Sequence, residues 1–132
     1  MKLLLDTHVF IWALMDTSRL SAVVKYQMQE PENKVFVSAV SFWEIAIKHS
    51  LGKLELNGLL PDEMAEIAER EMGFNLLDLD ASSAANSGTI PMLHKDPFDR
   101  MLIYQAIHSG CCMVSVNKKF ADYQPHGLKL LW

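Results

Sequence analysis

No apolar run in this sequence approaches the ~20 residues that a membrane-spanning helix needs. The segment before Asp6 offers one lysine and three leucines, too little for a secretory leader, so a cytoplasmic protein is expected. Cysteine is scarce. Cys111 and Cys112 are adjacent, and neighbours on a strand face opposite sides, which excludes an ordinary disulfide between them. They carry no metal-site spacing, and the five histidines form no HExxH-type pair, so there is no zinc reading. Positive charge is not in excess either. A net charge of −4 argues against a strongly basic nucleic-acid binder. It leaves open a nucleic-acid enzyme, because acids gathered at a metal site themselves make the charge more negative. The five prolines are scattered, and there is no repeat, low-complexity tract or linker.

What is present is a single domain, residues 1–132, long enough to bury a core, with half its residues hydrophobic. Leu3, Leu4 and Leu5 read as a short strand buried on both faces. A helix is expected over 9–15, and a second over 22–29 with Ser21 as its cap. Residues 34–37 are a β-branched and aromatic strand. Ser38 or Ser41 starts a helix that ends at 51–54. Asp62 is expected to cap a helix over 63–72, stopped by Gly73. A third strand falls at 74–79, a small-residue helix opens at Asp80, and a helix runs from Asp96-Pro97 to about His108. Residues 111–115 form a fourth strand and 128–131 a short closing one. Strands alternating with helices give an α/β fold with a mostly parallel sheet.

The chemistry starts at Asp6, where the first strand gives way to a helix. That is the strand's carboxyl end, where open α/β sheets bind ligands. Capping of the helix by Asp6 or Thr7 explains the same residues. In the run DPFDR, Asp96 fits an N-cap, Pro97 the first helical position and Asp99 the third, so capping alone accounts for both acids. Yet His94, Lys95 and Arg100 crowd the same element. Glu44 precedes Lys48 by four residues, the spacing of a surface ion pair, but Trp43, Ile45, Ala46 and Ile47 surround it, which favours a cleft. Asn117 and Ser115 fall near the end of the fourth strand. Carboxylate and amide oxygens meeting at one sheet edge would suit Mg²⁺ or Mn²⁺. Without a cation Asp6, Glu44 and Asp99 would repel one another, and at least one would tend to hold a proton.

The order LLLDTHVFIW, VSAVSFWEIAIK, HKDPFDRMLI, MVSVNKKF resembles the PIN domain, and more narrowly the VapC-type toxins of bacterial toxin–antitoxin pairs. The resemblance spans nearly the whole chain. It implies a three-layer α/β/α sandwich with a central, mostly parallel sheet. It also implies a Mg²⁺- or Mn²⁺-dependent endoribonuclease, a VapB-type antitoxin partner and a homodimer. Asp6, Glu44 and Asp99 match the family's three acids, as catalytic and metal-holding residues. Asp96, Thr7 and Ser115 match supporting positions. Asn117 stands where many members have a fourth aspartate, a departure that weakens any second metal position. Lys48, Lys95, Arg100 and Lys118 are candidates for meeting RNA.

Two other readings compete. One is a catalytically weak PIN-like module that binds RNA or protein, favoured by Asn117. The other is a phosphatase or response-regulator-like domain with Asp6 as phosphoacceptor. Lys118 partly fits that reading, but Glu44's place in a helix does not.

Overall fold

The computed structural model describes residues 1–132. Five strands, β1 (Lys2–Leu5), β2 (Lys34–Ser38), β3 (Asn75–Leu77), β4 (Cys112–Val114) and β5 (Lys129–Leu131), form one sheet in the order β3-β2-β1-β4-β5. Every pairing is parallel, with Leu3 opposite both Val35 and Cys112. All five strands therefore end at one edge. β1 is central, and the chain moves outward from it on one side and then on the other. That reversal of direction puts a cleft between β1 and β4, where side chains of both can meet.

Helices α1 (Thr7–Met15), α2 (Ala22–Gln29), α3 (Ala39–Ser50), α4 (Pro61–Glu66), α5 (Ala81–Asn86) and α6 (Pro97–His108) complete the three layers. The leucines of β1 show why. Leu3 and Leu5 enter one core with Val9 and Phe10 of α1, Val24 of α2, Ile45 of α3 and Met64 of α4. Leu4, pointing the other way, joins Leu102, Ile103 and Ala106 of α6, with Phe120 and Tyr123. Burial on both faces is what a run of three leucines asks for, and fully burying each such side chain stabilises the fold by ~1.5–3 kcal/mol.

α2 has the expected bounds, and Ser21 accepts the Val24 N–H at 3.1 Å. Ser38 rather than Ser41 starts α3. The helix expected over 63–72 differs more. It begins at Pro61, with Glu63 Oε1 accepting the Leu60 N–H at 3.2 Å, so Asp62 is not its cap. At Ile67–Glu71 it widens into a π-turn, closed by the Met72 N–H on the Ile67 carbonyl. The apolar spacing of Met64 and Ala68 is the same for either helix, so the sequence does not reveal the widening. The third strand shrinks to three residues at the sheet edge, because only β2 pairs with it. A nine-residue 3₁₀ segment, Lys118–His126, was not foreseen.

Candidate active site

The edge to which all the strands run holds a cavity of about 270 Å³, and Asp6, Glu44, Lys48, Asp96, Asp99 and Asn117 are among its walls. Four acids from three elements thus converge. Asp6 comes from the end of β1, and its own N–H extends the ladder by bonding the Val114 carbonyl at 3.0 Å. Glu44 comes from the middle of α3. Asp96 and Asp99 come from the start of α6. Asp6 and Glu44 are only 5% and 3% exposed, which is costly for carboxylates unless they are hydrogen-bonded.

Each is bonded. Asp6 Oδ1 caps α1 by accepting the Val9 N–H at 2.8 Å, and Oδ2 accepts the Ser115 hydroxyl. Cap and cleft residue are therefore the same group. Glu44 Oε1 accepts the Thr7 hydroxyl at 2.6 Å, and Thr7 lies 3.0 Å from the Ser41 hydroxyl. Glu44 Oε2 is paired with Lys48, so the expected ion pair exists, but its acid lies inside the cleft rather than in bulk water. Asp99 Oδ2 faces His94 Nε2 at 2.7 Å. Asp96 caps α6, its Oδ1 accepting the Asp99 N–H at 3.0 Å. Asn117 Oδ1 caps the 3₁₀ segment through the Lys119 N–H at 3.0 Å.

Electrostatics follow from burial and crowding. Burial raises the Asp6 pKa, against the lowering effect of Ser115 and Val9, and the Glu44 charge pushes the same way as burial. Burial raises Asp99 as well, and Asp96 and Glu44 add to it while His94 opposes it. For Lys48, burial alone would lower the pKa. Its bond to Glu44, with the charges of Glu44, Asp96 and Asp99, outweighs that and raises it. No three acid, histidine or cysteine side chains stand together as a ready-made metal cluster. Lys48 and His94 hold two of the acids instead.

Not every candidate meets here. The Arg100 guanidinium turns away, donating to the Pro91 carbonyl at 3.1 Å and lying 3.4 Å from the Tyr123 hydroxyl. Lys95 and Lys118 are exposed and do not line the cavity. The sequence reading missed the His94–Asp99 pair, although the density of ionisable groups around DPFDR was its signal. It also named neither His8 nor Trp12 as a candidate, both of which line the cavity from α1.

No curated protein matches this chain in sequence. Among solved structures, it is similar to a chain of a VapBC complex from Rickettsia felis bound to a promoter DNA fragment. That match has 15% identity and a TM-score of 0.69, and it covers 99% of this chain and 98% of that one. A chain of a DNA-bound VapBC from Salmonella typhimurium matches at 18% identity and TM-score 0.67, covering 99% and 97%. A chain of VapBC-1 from nontypeable Haemophilus influenzae matches at 15% and 0.67, with the same coverage of 99% and 97%. These likenesses establish the fold. The PIN domain family model matches residues 3–124, nearly the entire sequence, and the chain belongs to the PIN domain family.

Proposed function

We propose that this chain is a VapC-type toxin, an endoribonuclease that cuts RNA at the acid cavity with a divalent cation. The observation that carries the reading is the meeting of Asp6, Glu44 and Asp99, from three elements, in one cavity at the sheet's carboxyl edge. The fold shared with chains of VapBC complexes supports it. The donor set fits Mg²⁺ or Mn²⁺: it is made of hard oxygens, and burial and like charge disfavour ionisation of two of them. Asp6, Glu44 and Asp99 would hold the cation, with the Asn117 amide oxygen as a fourth, uncharged donor. When bound, such a cation activates water and steadies charge on a phosphodiester.

The chain's own residues do the positioning. The Val9 N–H and the Ser115 hydroxyl fix both oxygens of Asp6. Thr7 fixes one oxygen of Glu44, while Lys48 balances its charge. His94 holds Asp99 in place through Nε2. In the cell, the proposal includes the cytosol, a homodimer and a VapB-type antitoxin that blocks the site. The direct test is cleavage of total RNA by purified protein in Mg²⁺, in Mn²⁺ and in EDTA. Cleavage with either metal and none in EDTA is expected; cleavage unaffected by EDTA would reject the metal.

A second reading is a PIN-like module that binds RNA or protein without cutting. It rests on Asn117 and on the capture of Glu44 and Asp99 by Lys48 and His94. RNA binding without cleavage in the same assay would favour it.

A further inference from the structure

The two oxygens of Glu44 have unlike partners. Oε1 accepts the Thr7 hydroxyl at 2.6 Å, and Thr7 is itself buried, 3.0 Å from the Ser41 hydroxyl. That partner is fixed in place. Oε2 accepts from the Lys48 ammonium, which ends a flexible four-carbon stem at the cavity wall, with 35% of the side chain exposed. That partner is free to leave into water. An acid and a lysine four residues apart on a helix ordinarily make a surface pair of little consequence. Here the acid is shut inside the cavity, and the same ammonium also feels the charges of Asp96 and Asp99. The other basic partner is held differently. His94 is only 11% exposed, its ring meets Phe120 edge-on with centres 6.1 Å apart, and its backbone N–H donates to the Tyr123 hydroxyl at 3.1 Å, so it stays on Asp99.

We infer that Lys48 is an internal counter-ion on a swinging arm, which a divalent cation displaces from Glu44 in order to bind, so that this lysine sets the metal affinity of the site. This rests on the metal-dependent reading above and deepens it. Glu44 Oε2 has a second lone pair, but sharing it does not remove the competition. With an N–H···O bond of about 2.9 Å and a Mg–O bond of about 2.1 Å, an ammonium and a Mg²⁺ on one oxygen would stand no more than about 5 Å apart. In a cavity like charges at that range repel far more than they would in bulk water. Loading is therefore an exchange. One positive charge swings off Glu44 as two arrive, and Thr7 holds the other oxygen in register throughout. The released ammonium remains tethered at the mouth of the cavity by its own stem.

The test needs no RNA. Lysine acetylation of the whole chain by an amine-reactive reagent, read by mass spectrometry, is compared in EDTA and along a Mg²⁺ titration. Labelling of Lys48 should rise several-fold as the ion binds, while labelling of Lys95, which is exposed and does not line the cavity, stays level. Calorimetry reads the affinity itself. Lys48→Met keeps the apolar stem and removes the competitor. It should bind Mg²⁺ roughly five- to tenfold more tightly, the range between an exposed ion pair and a charged hydrogen bond. Lys48→Arg keeps the charge and grips a carboxylate with a planar fork, so it should bind Mg²⁺ more weakly than the parent. Lys95→Met removes the same charge from nearby without touching Glu44 and should change the affinity far less. If Lys48→Met does not fold, the labelling of the parent still decides. If the parent binds Mg²⁺ while Lys48 is labelled no faster, or if Lys95→Met tightens binding as much as Lys48→Met, this inference falls and the ribonuclease reading stands. If neither the parent nor any variant binds a divalent ion, both fall. If the exchange is seen but purified protein cuts no RNA, the inference stands and the ribonuclease reading falls.

Discussion

Asp6 has both carboxylate oxygens engaged by the protein, yet its pKa is still raised, with burial the dominant cause. The sign of the consequence is fixed. A carboxyl with a raised folded pKa is bound to a proton more readily in the folded state than in the unfolded one, so stability is lost as pH rises from the unfolded value of 3.8 through the folded one. At neutral pH ionised Asp6 is therefore a liability to the fold. Asp6→Asn keeps an oxygen for the Val9 N–H and removes the charge. In EDTA its melting temperature should exceed the parent's at pH 7, with the gap closing toward pH 3, while RNA cleavage is lost. A variant that melts like the parent at every pH, or that still cuts RNA, would sink the assignment. Asp96 and Asp99 should separate in a similar experiment. Asp96→Ala removes the cap of α6 and should cost roughly 0.5–2 kcal/mol of stability. Asp99→Asn should abolish cleavage with little loss of stability. The reverse pattern in chemical denaturation and cleavage assays would exchange their roles.

The loop leading into α6 and the 3₁₀ segment Lys118–His126 are tied together by one hydroxyl. Tyr123, fully buried, donates to the Pro91 carbonyl at 2.8 Å and accepts the N–H groups of Leu93 and His94 at 3.0 and 3.1 Å. Those bonds pin the loop that presents His94 to Asp99. Tyr123→Phe leaves two backbone donors without their acceptor and should cost about 1–3 kcal/mol for each that water cannot reach. It should also speed amide exchange at Leu93 and His94. Unchanged exchange there would show that the loop is held by other means. Nothing in the sequence announces this contact, because Tyr123 and His94 are far apart along the chain and no local pattern links them. The regular elements were far more legible. The bounds of α2 could be read because Ser21 caps locally and Glu30-Pro31 breaks locally. β1 could be read from three leucines, and α6 from Asp96-Pro97. Where the outcome depended on a neighbour rather than on the local chain, as with the short edge strand β3 and the π-turn at Ile67–Glu71, the sequence reading ran long or missed the feature. The acids followed the same rule. Asp6, Glu44, Asp96 and Asp99 were visible as residues, but their convergence depends on a sheet whose order brings β1 between β2 and β4.

The fold brings four acids, Asp6, Glu44, Asp96 and Asp99, to one edge of a parallel sheet, so a cation there should be felt as stability of the entire fold. Anything that binds the folded state alone stabilises by RT ln(1 + [L]/Kd), about 2.7 kcal/mol at a hundredfold excess over Kd. For a domain of this size that is a rise in melting temperature of roughly 10 °C. With Asp6, Glu44 and Asp99 ionised, one divalent ion leaves a single negative charge, whereas two would leave an excess of positive charge until a phosphate arrives. One well-held Mg²⁺ is therefore expected in the free protein, with any second ion entering with RNA. The Asn117 oxygen is engaged with the Lys119 N–H, and an aspartate could keep that bond while adding charge. Asn117→Asp should tighten metal binding and lower the Mg²⁺ concentration for half-maximal cleavage, without being required for it. Asp6→Asn should lose the Mg²⁺-induced rise. An antitoxin that reaches the cavity with an arginine would pair with the same carboxylates and take the cation's place, so the complex should melt higher than the free chain and no longer respond to Mg²⁺. Thermal melts across a Mg²⁺ titration, for the parent, both variants and the complex, separate these outcomes. A complex that still gains from Mg²⁺ would mean that the partner leaves the acids free, and equal midpoints for Asn117 and its aspartate variant would mean that charge at this position does not limit metal binding.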